Sequence, residues 1–595
     1  MVNITIDGKK LQVEDYKLIL DAARENNIYI PTLCSHEDLG NSGNCGICNV
    51  EIEGWGFKRA CKTPVADGMK IRTRTPMLVE ERKTLLRLIL ANHPQNCLHC
   101  IRNGNCELQD LTQKLNLHDY DYSQMMSKGL KKDSSSPSIV LDPKYCIKCG
   151  RCVTVCQDVQ RVYALEISER GFETRYAPTL GRNLEESECV KCGQCSAHCP
   201  VAAIHERDDT EKVWNALYDP ETIVVAQEAP AVRVALGEEF GLEPGHNISG
   251  QMYAALRKLG FDYVFDTNFG ADLTIMEEAA EFTKIFKESS TELPLITTCC
   301  PSWVDYLEKF FSPLIPHFSS AKSPHQMVGS IVKTYWAKKM NIPKEKIFLV
   351  SVMPCTAKKY EIERMEDMYS SGHKDVDVTI TTREFARMLR EVDIDPTELE
   401  TEKPDNPLGE YSGAGTIFGA SGGVMEAALR TAYFNITGKE LNSPHIDFVR
   451  GIEGVKVGKI DIEGTEIRIA VASGLSNVGK VLQEVHLAKE AGKETPYHFI
   501  EVMACRGGCV GGGGQPYGST NTIREKRASG LYNEDADLKI KESHNNPYIK
   551  KLYEDFLDAP LSQKAEDLLH TGYISRPGYL DMLSEEQIKK NFPDR

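Results

Sequence analysis

Three cysteine-bearing loops, each set on the end of an apolar, β-branched run, constrain this chain more than any other feature. TTCCPSW (297–303) continues LPLITT (293–298), MPCTAKK (353–359) continues IFLVSVM (347–353), and EVMACRGGCVGGGGQP (501–516) continues YHFIEVM (497–503). Short continuous runs of this kind are strands buried on both faces of a parallel sheet. In open α/β sheets a ligand sits off the carboxyl ends of the strands, where loops from different strands converge. Cysteines spread from 299 to 509 are thereby expected at one place. Soft thiolate donors in a closed, glycine-lined site point to iron–sulfur or another soft metal.

The chain has 595 residues and 20 cysteines. Its length calls for several domains rather than one core. The start, MVNITIDGKK, lacks the basic-then-apolar plan of a secretory signal, and no twin-arginine stretch is visible. No apolar run approaches the roughly 20 residues needed to cross a bilayer. A cytoplasmic protein without membrane insertion is the expectation, and disulfides are rare in that compartment. The cysteine spacings are those of metal ligands. A formal net charge of −16 argues against nucleic-acid binding, and thiolate-ligated clusters add to the negative charge.

Residues 1–78 open with NITIDGKKLQV, two alternating runs around Asp7 and Gly8, a hairpin signal. A short helix is expected at 18–25, followed by Cys34, Cys45, Cys48 and Cys61 in a C-x10-C-x2-C-x12-C pattern. Gly40, Gly43 and Gly46 let backbone N–H groups crowd the sulfurs. This looks like the β-grasp [2Fe–2S] domain of plant-type ferredoxins, with a longer first gap; a structural zinc is the alternative. Residues 79–125 form a small helical segment with His93, Cys97, Cys100 and Cys106. H-x3-C-x2-C-x5-C suits either a Cys3His zinc site or a [4Fe–4S] cluster, with His99 as the competing nitrogen ligand. Residues 128–138, basic then serine-rich, read as a linker.

Residues 138–210 carry C-x2-C-x2-C-x3-C twice, at Cys146, Cys149, Cys152 and Cys156 and at Cys189, Cys192, Cys195 and Cys199. This is the bacterial two-cluster ferredoxin pattern, in which the fourth cysteine of each run ligates the other cluster. One [4Fe–4S] cluster is then expected on Cys146, Cys149, Cys152 and Cys199, the other on Cys189, Cys192, Cys195 and Cys156. Gln157 stands where proline is usual. From 211 to 518 strands and helices alternate. TIVVAQ, YVFDT, VDVTITT and IRIAVA read as further strands and DLTIMEEAAEFTKIF as a helix, and an α/β domain of two lobes with a cleft is expected. Residues 519–595 read as a polar helical tail without cysteine. The whole is a multidomain chain of α/β and α+β parts.

TTCCP, MPCTAKK and EVMAC-x-GGC, in that order behind ferredoxin-like modules, resemble the signatures of [FeFe]-hydrogenases of the large, clostridial type. The similarity spans nearly the whole chain, including a tail like that family's small-subunit segment. It implies that His93, Cys97, Cys100 and Cys106 hold a [4Fe–4S] cluster. It also implies that Cys300, Cys355, Cys505 and Cys509 ligate the [4Fe–4S] half of an H-cluster. Cys509 would bridge to a diiron half carrying CO, CN⁻ and azadithiolate, installed by maturases. Lys358 would hold a cyanide by a charge-assisted hydrogen bond, Met353 and Met503 would form a soft apolar wall, and Pro230, Ala231 and Phe418 match the distal side of the pocket.

With nineteen cysteines assigned to clusters, Cys299 is left, at the position where the family relays protons. The implied path runs Cys299, Glu278, Ser319, Glu281 and solvent, and the two glutamates, three apart, share a helical face. Thr298 stands where serine is common, Arg506 where proline is common, and His325 where some members have glutamine. The implied activity is 2H⁺ + 2e⁻ ⇌ H₂, with electrons relayed through one [2Fe–2S] and three [4Fe–4S] clusters. The chain carries no nucleotide-binding fingerprint, so pyridine-nucleotide chemistry would lie on flavin- and NAD(P)-binding partner subunits. A catalytic subunit of such a complex is the favoured setting and a stand-alone, ferredoxin-dependent enzyme the other. A hydrogen sensor is the alternative class; sensory relatives usually lose the relay cysteine, which is present here.

Overall fold

A computed structural model describes residues 1–118, 131–288, 293–441, 443–462 and 464–576. The start of the linker read at 128–138, the end of the segment read at 79–125, and residues 577–595 of the tail lie outside the described residues. The chain divides into two compact units, one of 1–159, 163–187 and 198–205, the other of 160–162, 188–197 and 206–595.

In the first unit, strands β1 (Val2–Ile6), β2 (Lys9–Val13), β3 (Asn49–Ile52), β4 (Gly56–Arg59) and β5 (Lys70–Arg72) form one sheet in the order β2-β1-β5-β3-β4. Asp7 and Gly8 both take positive φ, 46° and 85°, so the β1–β2 turn matches the twist of its strands. Helix α1 (Ile19–Glu25) lays Ile19, Leu20, Ala22 and Ala23 against Ile4, Ile6, Val50 and Ile52, the core of the expected β-grasp. Helix α2 (Pro76–Leu90) starts on a Thr75 cap, whose side chain accepts from the Leu78 N–H at 3.3 Å. It stops at Leu90, well before Cys97, because Pro94 cannot donate to the helix and disfavours the helical region for His93. The dicluster segment is closed by the Asp142 N–H donating to the Ala203 carbonyl at 2.8 Å.

The second unit holds two four-stranded sheets. Strands β6 (Ile223–Glu228), β7 (Tyr263–Asp266), β9 (Ile347–Met353) and β10 (Val378–Thr381) run parallel in the order β7-β6-β9-β10. Strands β8 (Leu295–Ile296), β11 (Val455–Ile462), β12 (Thr465–Ser473) and β13 (Phe499–Met503) follow the order β8-β13-β12-β11. The first three are parallel and β11 is antiparallel at the edge. All the strands read from the sequence form. The 293–298 run is shortened to β8, since Pro294 has no N–H and pairing begins with the Leu295 N–H on the His498 carbonyl.

Helix α3 (Thr267–Lys287) joins the two sheets. Asp266 caps it, accepting the Asn268 N–H at 2.8 Å. Phe269 and Leu273 enter the core of the first sheet, while Ala271, Ile275, Ala279 and Phe282 enter that of the second. A helix with core on two sides is apolar nearly all round, so a glutamate such as Glu278 is buried with it.

Candidate active site

Carboxyl ends of strands from both sheets deliver the site. Met353 ends β9 and Met503 ends β13; Cys299 and Cys300 follow β8, and Cys300 is the N-cap of helix α4 (Pro301–Phe310). One cavity is lined by Cys299, Cys355 and Cys509 together with Lys358, Met353, Met503, Pro230, Ala231, Phe418 and His325. Ala229, Thr267, Ala271, Pro324, Pro354 and Gly419 complete the lining, so Lys358 is the one permanently charged side chain among the described residues there. Cys300 and Cys505 stand beside it. The Cys300 sulfur accepts the Ala504 N–H at 3.5 Å, and the Cys505 sulfur lies 3.2 Å from the Gln194 Nε2.

Burial pushes the thiols of Cys300, Cys355, Cys505 and Cys509 up, and for the last three the neighbouring cysteines push the same way. Four such groups become thiolates only where a metal supplies positive charge. The donor set fits an iron–sulfur cluster, with Cys355 and Cys509 lining the cavity and Cys300 and Cys505 as their close neighbours. Gly508 marks how tightly the last loop is drawn in. It sits at φ 89°, and a Cβ there would stand 2.6 Å from the Ser421 nitrogen.

Lys358 is fixed by two of its three N–H groups, on the Cys299 carbonyl at 3.0 Å and on Glu361 at 2.7 Å. Glu361 also receives the His325 Nε2 at 2.6 Å. Burial works to raise the Glu361 carboxyl, but the Lys358 charge and His325 outweigh it and hold it down at about 2. Burial and then the Lys358 charge hold His325 down at about 4. A neutral imidazole donates to Glu361 and accepts from Ser351 at 3.0 Å. One donor and one acceptor are also what a glutamine amide offers, which accounts for histidine at this position.

On α3, Glu278 and Glu281 are one turn apart. Both carboxyl oxygens of Glu278 are buried, with the Ser319 hydroxyl and the Thr298 backbone as their polar neighbours. Burial, and then the Glu281 charge, push its pKa up to about 8. The Cys299 thiol is raised well above its ordinary value, first by burial and then by Glu278. Ser319 donates to Glu281 Oε2 at 2.6 Å, and the Ser320 N–H donates to Oε1 at 3.0 Å. The hydroxyl of Tyr573, from the tail, donates to the Ser319 carbonyl at 2.8 Å.

The second cysteine repeat reaches this site within its own unit. Gln194 donates to the Cys505 sulfur and, at 2.9 Å, to the Gly511 carbonyl. A Cβ on Gly513 would lie 2.3 Å from the Cys192 carbonyl oxygen, so only glycine permits that approach. Thr356, next to Cys355, donates to the Lys191 carbonyl at 2.8 Å.

In the first unit the Cys45 N–H donates to the Cys34 sulfur at 3.5 Å, and the free thiols of Cys48 and Cys61 lie side by side. Cys146, Cys149, Cys152 and Cys199 line one apolar cavity with Leu141, Ile147, Val201 and Ile204. Cys156 belongs to the first unit, and Cys189, Cys192 and Cys195 to the second. His93 is buried; its Nδ1 lies 2.9 Å from the Pro94 carbonyl, and its Nε2 has no partner among the described residues. An imidazole so placed presents Nε2 to a metal, as ligating histidines do. His99 is exposed.

Sequence reasoning missed Gln194 and the polar side chains of the tail. GQC between two ligand cysteines was a visible signal for the first. For the second only the histidine in LLHTGY hinted at more than packing.

Residues 222–513 match the family described as iron only hydrogenase large subunit, C-terminal domain, and 521–576 match the iron hydrogenase small subunit. Residues 1–76 match a 2Fe-2S iron–sulfur cluster binding domain, 82–120 the NADH-ubiquinone oxidoreductase-G iron–sulfur binding region, and 131–203 a 4Fe-4S dicluster domain. The chain belongs to the [FeFe]-hydrogenases, a family of iron–sulfur oxidoreductases. Among its relatives, NADP-reducing hydrogenase subunit HndD of Solidesulfovibrio fructosivorans is 45% identical over 97% of this chain and 99% of its own. Iron hydrogenase 1 of Clostridium pasteurianum is 40% identical over 96% of this chain and 100% of its own. A solved cysteine-to-histidine variant of the apo [FeFe]-hydrogenase from Chlamydomonas reinhardtii is 39% identical, with a TM-score of 0.55, over 62% of this chain and 99% of that one.

Proposed function

We propose that the chain is the catalytic subunit of an NAD(P)-linked hydrogenase complex, carrying out 2H⁺ + 2e⁻ ⇌ H₂ at an H-cluster seated in the cavity between Lys358 and Phe418. The observation that carries this reading is that cavity itself, in which Cys299, Cys355 and Cys509 meet Lys358, Met353 and Met503. We read five segments, at 1–78, 79–125, 138–210, 211–518 and 519–595. The first is read to carry a [2Fe–2S] cluster on Cys34, Cys45, Cys48 and Cys61. Three [4Fe–4S] clusters follow, on His93 with Cys97, Cys100 and Cys106 and on the two crossed sets from 146 to 199. The placing in a complex is supported by the Solidesulfovibrio relative, named as a subunit of an NADP-reducing hydrogenase and aligned end to end. Ferredoxin, flavin- and NAD(P)-binding chains and maturases are the partners this implies. A cytoplasmic location is consistent with the described residues, none of whose helices is long and apolar enough to cross a membrane.

When bound, the diiron half supplies the centre at which the H–H bond is made or split. The chain's own residues then have separate tasks. Cys300, Cys355, Cys505 and Cys509 hold the cluster. Lys358, with two N–H groups committed, has a third to offer a cyanide in the cavity. Met353, Met503, Pro230, Ala231 and Phe418 keep water away. Cys299 gives and takes a proton at its sulfur. Glu278, neutral below about pH 8, passes the proton towards Ser319 and Glu281.

The Clostridium relative, matched as fully, favours the stand-alone, ferredoxin-dependent setting as a second reading. Anaerobic purification of the matured protein with its native partners tests both. Copurifying flavin chains, and hydrogen oxidation that needs NAD(P)⁺ with ferredoxin, are expected for the complex. An isolated chain active with ferredoxin alone defeats that setting. Absence of carbonyl and cyanide infrared bands after maturation defeats the H-cluster itself.

A further inference from the structure

The proton path read above ends at Glu281, whose side chain is only 13% exposed. What lies beyond it comes from the tail. Residue 570 follows helix Gln563–Leu569 and runs antiparallel beside Ala321. The Lys322 N–H donates to the Leu569 carbonyl and the Thr571 N–H to the Ser320 carbonyl, each at 2.8 Å. These two bonds clamp His570 against the segment that carries Ser319 and Ser320.

The ring of His570 is held by one nitrogen and left to act with the other. Its Nε2 lies 3.1 Å from Glu277 Oε2, and Glu277 also accepts the Tyr553 hydroxyl and, at 2.8 Å, the Leu561 N–H. A buried carboxylate ringed by donors keeps the Nε2 proton in place. Exchange is therefore confined to Nδ1, as the partner of one ring nitrogen fixes the state of the other. That atom is 2.6 Å from Ser320 Oγ, 3.8 Å from Glu281 Oε1 and 3.7 Å from Glu566 Oε2. Ser320 Oγ also donates to Glu281 Oε1. Glu566 is 44% exposed.

We propose that Ser320, His570 and Glu566 form the outer leg of the proton path, carrying protons between Glu281 and solvent, with His570 as the relay. This rests on the reading of Glu281 as part of that path. In the outward direction Glu281, as the acid, gives its proton to Ser320 Oγ while the Ser320 hydroxyl proton passes to His570 Nδ1, forming imidazolium. His570 returns to neutral by passing the Nδ1 proton through one bridging water to Glu566, 3.7 Å away, which releases it to bulk water. The groups facing the ring are Glu277 and Glu281 from α3, Glu566 from its own helix and the Tyr553 hydroxyl through Glu277. Burial alone would lower the imidazole pKa, but the Glu277 hydrogen bond and the charges of Glu277, Glu281 and Glu566 raise it. A relay near neutrality follows.

The test uses the full-length, matured enzyme and the variants His570→Gln, His570→Ala and Glu566→Gln, with hydrogen evolution from a reduced dye. Both His570 variants are expected to lose on the order of tenfold or more in turnover. Millimolar imidazole should restore His570→Ala, and the pH profile of both should lose its limb near neutrality. Glu566→Gln should lose severalfold, recovered at high buffer concentration. In unmatured protein labelled with ¹⁵N-histidine, the ring signal missing from His570→Gln should titrate above the ordinary histidine range and move downward in Glu566→Gln. Wild-type turnover and pH profile in stable His570 variants, or loss that imidazole and buffer do not touch, overturn the proposal. If His570→Gln lowers thermal stability, Glu566→Gln and the ¹⁵N titration decide it. Cys299→Ala separates the two readings. A dead Cys299 variant beside a normal His570 variant removes only the outer leg, whereas two active variants remove the inner path as well.

Discussion

The cluster cradles of the first unit and the cavity of the second are both made with cysteine, and they are made in opposite ways. Cys34, Cys45, Cys48 and Cys61 lie within one short stretch, and their geometry comes from a glycine-bearing loop at 40–46. The cavity gathers residues from 229 to 509. It exists only because parallel strands of two sheets, joined through α3, end towards it. A cradle is specified by spacing, whereas the cavity is specified by packing. On the proposed function the division of labour follows the same line, with cradles that only hold metal and a cavity that also steers protons.

The sharpest way to break this comparison is Cys299→Ala, which alters the cavity without touching any proposed ligand. Turnover should fall by about 10²–10⁴-fold while iron content stays at the wild-type level. Near-normal hydrogen evolution would leave the cavity no different in kind from a cradle. Glu278→Gln comes next, with an expected loss of about 10²-fold. The folded chain keeps the Glu278 proton up to about pH 8, while an unfolded chain gives it up near 4.5. The native state thus binds more protons across that window, so its stability falls as pH rises through it. Glu278→Gln should flatten that slope and remove the infrared band of a protonated carboxyl at neutral pH.

Cradle-side changes should be smaller and purely compositional. His93→Ala should cost about four irons per chain and slow reduction by ferredoxin severalfold, with dye-driven hydrogen evolution kept. His99→Ala, exposed beside it, should leave the iron count unchanged. Smallest is a pair of glycine substitutions compared by thermal melting. Gly513→Ala would push a methyl into the Cys192 carbonyl and should cost ~1–3 kcal/mol. Gly104→Ala, with open space around it but φ 76°, should cost ~1 kcal/mol. Equal melting shifts would deny the cavity its special dependence on close backbone approach.

The same contrast explains what could be read from the amino acids in advance. The cluster-binding domains were legible as cysteine patterns, and Cys199 lines one cavity with Cys146, Cys149 and Cys152, as the crossed reading expects. Strands buried on both faces were legible as apolar runs. Edge strand β11 was not, because Lys456, Gly458 and Lys459 break the run and most of its side chains meet water. The tail looked inert, since nothing in LLHTGY points back to Glu277, nearly three hundred residues earlier. Pairings of that reach are fixed by how helices dock, and no local periodicity records them.

Residues 160–162 and 188–197 come from the ferredoxin-like segment and yet count with the second unit. Gln160 shows how firmly: it donates to the Ala504 carbonyl at 3.0 Å and accepts the Leu475 N–H at 3.1 Å. A splice made after the last cysteine repeat would therefore strip the hydrogen-converting part of two of its own struts. Anyone grafting new inlets onto this enzyme has a safe seam only upstream of the dicluster segment, with both crossed repeats travelling as cargo of the core.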